Sequence, residues 1–224
     1  MAMIVTQSLV KTYGKGKKEV AGLSGVDLTV ESGEYVAIVG PSGSGKTTLL
    51  LSLGGLIHPT SGKVIIDGTS IYDLKPADRI EMRRSRIGFL FQTFNLIPYL
   101  TAMENTEAPL MVAGKSREEQ DTIARATLER VGLGDRLHHK PSELSVGQQQ
   151  RVALARTLAN SPSIILADEP TGNLDPATVE SVADMLNDLN EEGITIVMVT
   201  HDPRMASRAR RVAELVDGRM AARV

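Results

Sequence analysis

The first residues in this 224-residue chain able to do chemistry are a lysine and a threonine at the end of a glycine-rich stretch. The stretch reads Gly40-Pro41-Ser42-Gly43-Ser44-Gly45-Lys46-Thr47-Thr48. It fits the pattern of glycine, four residues, glycine, lysine, then serine or threonine. Glycines let backbone N–H groups converge on an anion without side chains in the way. The Lys46 ammonium is a point charge suited to the β- and γ-phosphates of a nucleotide, and the Thr47 hydroxyl can ligate Mg²⁺. An ordinary glycine turn needs neither group, so the pair argues for a nucleotide site.

Other polar residues can serve the same phosphate. Asp168 directly follows the apolar run Ile164-Ile165-Leu166-Ala167, a position from which a carboxylate reaches Mg²⁺ or a metal-bound water. Beside it, Glu169 can polarise an attacking water, because phosphoryl transfer asks for an oriented nucleophile more than a strong base. His201 can hydrogen-bond a γ-phosphate, and Gln92 stops another apolar run. With four Tyr, three Phe and no Trp in the chain, Tyr13 is the best ring for a base to stack on. His58, His138 and His139 have no such context, and their spacing makes no metal site.

Positions 13 to 201 meet only if the elements between them are arranged to bring them together. Residues 4–12 and 20–30 alternate apolar and polar, as half-buried antiparallel strands do, with a charged hairpin tip at 14–18. Residues 35–39, 87–91, 164–167 and 194–199 are short apolar runs. Such runs alternating with helices indicate a parallel sheet buried on both faces. Ligands on such sheets bind at the carboxyl ends of the strands. Lys46, Gln92, Asp168, Glu169 and His201 all lie at or just past such ends, which places them around one ligand. A strand at 64–66 runs into an Asp67-Gly68 turn, and 76–85 reads as a helix.

From Thr93 to about Asn160 the pattern turns helical. Ser116-Arg117-Glu118-Glu119 is a capping box that predicts a helix with Ile123, Ala126, Thr127 and Val131 on its apolar side. Val152, Ala155 and Leu158 mark a second helix after Leu144-Ser145-Val146-Gly147. Asp175-Pro176 opens another, with Val179, Val182, Leu186 and Leu189 facing inward and Gly193 closing it.

Composition narrows the partners. The chain is 42% hydrophobic and 23% charged with a net charge of −2, so no global basic field argues for nucleic acid. The basic runs at 83–86 and 204–211 read as solvated helix faces. No cysteine is present, which excludes disulfides, thiol catalysis and Cys-ligated metal. The first residues lack the blocks of a signal peptide, and no apolar run approaches the roughly 20 residues of a spanning helix.

Taken together, the phosphate loop, Gln92, Leu144-Ser145-Val146-Gly147-Gln148, Asp168-Glu169, Asn173-Leu174-Asp175 and His201 occur in the order found in ABC-transporter ATP-binding subunits. The resemblance covers nearly the whole chain. It implies an α/β P-loop NTPase (RecA-like) fold with a mainly parallel sheet, an antiparallel β subdomain and an inserted α-helical subdomain. Residues 1–92 and 161–224 would form the nucleotide-binding core with the β subdomain, and 93–160 the helical subdomain.

By position, Tyr13 matches the A-loop ring, Gly40, Pro41, Ser42, Gly43, Ser44, Gly45, Lys46, Thr47 and Thr48 the Walker A loop, and Asp168-Glu169 the end of Walker B. Gln92 matches the Q-loop, Leu144 to Gln148 the signature, Leu174-Asp175 the D-loop and His201 the switch histidine. The resemblance implies ATP and Mg²⁺ as cofactors. It gives Glu169, His201 and Gln92 to catalysis, Thr47, Gln92 and Asp168 to the metal, and Ser145, Gly147, Gln148 and Asp175 to the nucleotide of a second copy. It also implies an ATP-dependent homodimer on a separate transmembrane permease, at the cytoplasmic face of the cell membrane.

The wording from Asp168 to Asp175, and Phe91-Gln92-Thr93-Phe94-Asn95-Leu96-Ile97-Pro98, is most similar to the lipoprotein-release and macrolide-export subgroup. A cell-division type mechanotransmission subunit or a soluble ABC ATPase would use the same residues. The signature departs from the usual Leu-Ser-Gly-Gly-Gln at Val146. A β-branched residue tolerates positive φ badly, so an ordinary negative φ is expected there, with the side chain turned from the nucleotide. The permease is expected to dock near 92–112, where Leu96, Ile97, Tyr99, Leu100 and Met103 divide between core and surface.

Overall fold

The structure, a computed structural model, describes residues 1–14, 16 and 19–221. Of the expected hairpin tip, Lys15, Lys17 and Lys18 lie outside the described residues. Strands β1 (Ala2–Tyr13) and β2 (Val20–Glu31) pair antiparallel. With β4 (Ser61–Ile66) and β5 (Thr69–Ser70) they form a four-stranded sheet in the order β2-β1-β4-β5. Val26, Leu28 and Val30 of β2 point to the core and their neighbours to solvent, the two-residue period of a half-buried strand, while Leu23 is also buried across a register shift in the pairing with β1.

The second sheet holds β3 (Tyr35–Val39), β6 (Ile87–Phe91), β7 (Ile164–Asp168), β8 (Thr195–Val199), β9 (Arg211–Val216) and β10 (Arg219–Met220). Its order is β10-β9-β3-β8-β7-β6. All neighbours pair parallel except β9 and β10, which flank the Asp217-Gly218 turn. Alternate residues of each parallel strand enter different cores. Val36, Ile38, Leu166, Val197 and Val199 pack with α1 (Lys46–Leu53) and the antiparallel sheet. Tyr35, Ala37, Ile165, Ile196 and Met198 pack with α5 (Val146–Leu158) and α6 (Pro176–Glu191) on the other side. Burial on both faces is why these strands read as unbroken apolar runs.

The remaining helices are α2 (Pro76–Arg86), α3 (Ala102–Val112), α4 (Arg117–Arg130) and α7 (Pro203–Ala206). Capping residues set their starts. Ser116 accepts from the Glu119 N–H while Glu119 accepts from the Ser116 N–H, and Asp175 accepts from the Ala177 and Thr178 N–H groups. The α4 face differs from the sequence expectation: Gln120, Ala124 and Leu128 are buried, whereas Ala126 is exposed and Ile123 and Thr127 are half-buried. Counting apolar residues missed that Gln120 turns inward, where its side-chain amide donates to the Lys115 carbonyl. Val146 is the first residue of α5 and is not among the positive-φ residues; its side chain is largely exposed. Met103 is buried, Leu96 packs against the core, and Ile97 and Tyr99 are exposed.

Helix α5 is pressed close to β6. A Cβ added at Gly88 would sit 2.6 Å from Thr157 Cγ2 and 3.0 Å from the Thr157 carbonyl oxygen. Gly88→Ala should lower the unfolding free energy by about 1–3 kcal/mol in a urea titration. Unchanged stability would show that α5 slides freely on β6.

Candidate active site

The phosphate loop is held from both sides. A Cβ at Gly40 would stand 2.1 Å from the Leu215 carbonyl oxygen of β9, and one at Gly45 2.2 Å from the Gly22 carbonyl oxygen of β2. Gly45 also has φ +102°, where side chains are disfavoured. The Gly218 N–H donates to the Ser44 carbonyl, adding a tie to the β9–β10 turn. No side chain caps α1, and its first internal bond runs from the Leu49 N–H to the Gly45 carbonyl. The N–H groups opening α1 therefore present partial positive charge at the loop.

Lys46 Nζ donates to the Gly40 and Pro41 carbonyls at 2.8 and 2.9 Å, folding the ammonium over its own loop. Ser44 Oγ is buried and has no hydrogen-bond partner among the described residues, a rare condition that a ligand oxygen would relieve.

Parallel register aligns the strand ends. Val199 of β8 pairs with Ile38 of β3 and with Asp168 of β7, which in turn pairs with Phe91 of β6. One residue further on, Thr200, Glu169 and Gln92 stand in a row. The Thr47 hydroxyl donates to Asp168 Oδ1 at 3.1 Å, joining α1 to the end of β7. Burial pushes the Asp168 carboxyl above its ordinary value; the Thr47 bond works against that, the Glu169 charge adds to it, and Lys46 opposes it. A carboxylate so placed favours an incoming cation.

Glu169 has φ +45°, a conformation costing roughly 1–3 kcal/mol in a non-glycine residue. Three bonds hold it there. Its N–H donates to the Val199 carbonyl at 2.9 Å, the His201 N–H donates to Oε2 at 3.2 Å, and His201 Nδ1 lies 2.9 Å from Oε1. The His201 ring is itself 71% exposed, so Glu169 and His201 share one open mouth. The Gln92 side chain lies over Gly172, where a Cβ would meet its Nε2 at 2.6 Å. Its carbonyl accepts from Asn173 Nδ2 at 3.2 Å. Tyr13 is half-exposed, its hydroxyl 3.3 Å from Thr48 Oγ1 at the start of α1.

The signature residues sit elsewhere. Ser145 caps α5, accepting from the Gln148 N–H at 3.2 Å while its own N–H donates to Gln148 Oε1 at 2.9 Å. A Cβ at Gly147 would lie 2.6 Å from Thr178 Cγ2, and Thr178 bonds Asp175. Ser145, Gly147, Gln148 and Asp175 thus lie together at the starts of α5 and α6: Ser145 and Gln148 are bonded to each other, and Asp175 is bonded to Thr178, which abuts Gly147.

Several residues around the site escaped the sequence reading. Gln150 is fully buried on α5 and donates to the Pro170 carbonyl, next to Glu169. Arg156, further along α5, grips the loop that follows Gln92, and burial lowers its guanidinium pKa. Neither is visible in apolar periodicity, because both are polar positions turned inward.

A glycine-looped strand-to-helix turn on a parallel sheet, with a carboxylate ending the adjacent region of the sheet, defines a P-loop NTPase fold. Residues 23–172 match the profile of the family described as "ABC transporter", and the chain belongs to that family. It is 48% identical over 220 residues to the lipoprotein-releasing system ATP-binding protein LolD of Syntrophotalea carbinolica, covering 98% of this chain and 97% of that one. It is 50% identical over 221 residues to the macrolide export ATP-binding/permease protein MacB of Syntrophobacter fumaroxidans, covering 97% of this chain. There the chain spans about a third of the relative's length, 31%. A solved structure described as the dimeric, post-hydrolysis state of the ATP-binding cassette MJ0796 with ADP and Pi superposes with a TM-score of 0.91 at 45% identity, over 98% of this chain and 97% of that one.

Lys46→Ala should weaken ATP binding by roughly one to two orders of magnitude in a calorimetric titration, the scale of lost charged hydrogen bonds. Unchanged affinity would remove Lys46 from the site.

Proposed function

We propose that this chain binds and hydrolyses ATP as the motor subunit of a transporter of the export or lipoprotein-release type, two copies closing on two ATP molecules. The observation that carries this reading is the convergence of Thr47 on Asp168 and of His201 on Glu169, at the strand end next to that of Gln92, beside an uncapped helix N-terminus. In this reading the α1 N–H groups, Ser44 Oγ and Lys46 bind the phosphates, Lys46 exchanging its two carbonyl bonds for phosphate oxygens. The Tyr13 ring receives the base. Thr47, Asp168 and Gln92 would hold Mg²⁺, and the half-buried carboxylate of Asp168, bonded to the Thr47 hydroxyl, fits that group. Mg²⁺, when bound, supplies neutralisation of phosphate charge.

Glu169 orients the attacking water and accepts its proton while the β–γ bridging oxygen leaves as ADP; ADP and phosphate are the products. His201 holds Glu169 in its unusual backbone conformation before ATP arrives and turns to the γ-phosphate afterwards. A second copy completes the donors around that phosphate. Ser145, Gly147 and Gln148 at the exposed start of α5 of a second copy supply them, with Asp175 at the same interface. The dimeric MJ0796 cassette supports this arrangement.

Residues 1–92 and 161–224 act as the nucleotide-binding core and 93–160 as the helical subdomain. Between them, a groove of about 580 Å³ is lined by Leu56, Ile80, Phe91, Ile97 and Val112, with Arg83 and Arg84 beside them. Ile80, Ile97 and Val112 are exposed. A permease segment docks there, and the permease holds the chain at the cytoplasmic membrane face. No helix among the described residues is long and apolar enough to cross a membrane. The transported substrate is selected by that permease, with lipoproteins or macrolide-like compounds the classes the relatives suggest.

Glu169→Gln should keep ATP affinity while turnover falls by roughly 10²–10⁴-fold, the usual worth of a positioned base. With ATP it should run as a dimer on size exclusion. Wild-type turnover in that variant would refute the role given to Glu169.

A further inference from the structure

Arg156 occupies an unusual place. Among the described residues it forms no ion pair with a carboxylate. Its guanidinium instead donates Nη2 to the Phe94 carbonyl at 2.6 Å and Nη1 to the Asn95 carbonyl at 2.5 Å. Those carbonyls belong to two successive non-glycine residues with φ of 54° and 50°. Asn tolerates this region; for a bulky residue such as Phe it is an outlier that its surroundings must enforce.

The geometry explains the enforcement. In an extended chain successive carbonyls point to opposite sides, so one planar fork cannot take both. Two consecutive left-handed residues turn the carbonyls the same way, as in one step of a helix. A guanidinium presents paired, coplanar donors that match two such oxygens, which an ammonium does not. Arg156 therefore selects the left-handed step. That step begins two residues after Gln92, whose own carbonyl is tied to Asn173, so the chain between the two anchors has little freedom to move Gln92.

We propose that Arg156 is a positioning residue for ATP hydrolysis, its guanidinium fork holding the Phe94–Asn95 step left-handed so that Gln92 is presented to the site. This rests on the function proposed above. It adds a route by which the signature-bearing helix α5 governs the loop after β6 through side chain to backbone bonds.

The test uses two variants that break the same arrangement from opposite ends. Arg156→Lys keeps the charge and removes the fork. Asn95→Pro leaves Arg156 intact, and its ring fixes φ near −65° at an exposed loop position, so it remains testable should Arg156→Lys fail to fold. Each should lower kcat by roughly ten- to a hundredfold with KM for ATP within about twofold, as expected for misplacement rather than lost binding. Hydrogen exchange in folded Arg156→Lys should quicken at the amides of 93–96 while α3 and α5 stay as protected as in the wild type.

Wild-type kcat in Asn95→Pro overturns the proposal, as does unchanged exchange at 93–96 in folded Arg156→Lys. A kcat loss that merely follows a fall in melting temperature also overturns it. A wild-type chain with no ATPase that Glu169→Gln abolishes would instead remove the underlying functional reading. The exchange result still decides whether the fork holds the loop.

Discussion

The parallel hydrogen-bonded ladder of β3, β8, β7 and β6 is the constraint on which the site depends. Adjacent strands in such a ladder stand just under 5 Å apart. Once Val199 pairs with both Ile38 and Asp168, and Asp168 with Phe91, the residues that follow those strands have no choice but to form a row. The proposed catalytic groups Gln92, Glu169 and His201 span more than 100 positions in sequence, yet backbone pairing sets the spacing of the strand ends that carry them. The two apolar cores on either face of the sheet hold that ladder closed.

On this rigid edge the chain stores strain where chemistry is proposed. Glu169, Phe94 and Asn95 all have positive φ without being glycine. In each case the surrounding bonds account for the conformation: His201 and the Val199 carbonyl for Glu169, the Arg156 fork for Phe94 and Asn95. Such over-determined positions suit a site that must be in place before substrate arrives. The phosphate loop follows the same logic, approached at Gly40 and Gly45 by the Leu215 and Gly22 carbonyls at distances only glycine permits and tied at Ser44 by the Gly218 N–H. Through Gly22 of β2, the antiparallel sheet thus does more than cover α1; it helps to shape the cradle.

Much of this was legible before the structure. The apolar runs ending at Val39, Phe91, Ala167 and Val199 announce a sheet buried on both faces, and Lys46, Gln92, Asp168, Glu169 and His201, at or just past such ends, announce its edge. Capping at Ser116 and Asp175 was readable because the cap is local chemistry. Three features were not. The buried face of α4 runs through Gln120, Ala124 and Leu128 to the expected Val131, and Gln120 joins it through a bond to the Lys115 carbonyl, which no hydrophobic count registers. Helix α3 carries a Thr101–Glu104 capping box, but its apolar residues blend into the exposed run before it. Arg156 and Gln150 serve the site from polar positions on α5 that look like solvent-facing residues until the loops they hold are seen. Sequence pattern reports which face is apolar; it does not report which polar side chain has a backbone to grip.

In the proposed function, two copies complete each other's site. The direct measurement mixes a copy carrying Lys46→Ala, which keeps its signature but cannot hold phosphate, with a copy carrying Ser145→Arg, which keeps its phosphate loop but cannot cap a partner. Each alone should be inactive, and the mixture should regain ATPase activity, because one of the two sites in a mixed dimer has both halves intact. A mixture as inactive as its components, or a Ser145→Arg copy that hydrolyses ATP at the wild-type rate by itself, would contradict it.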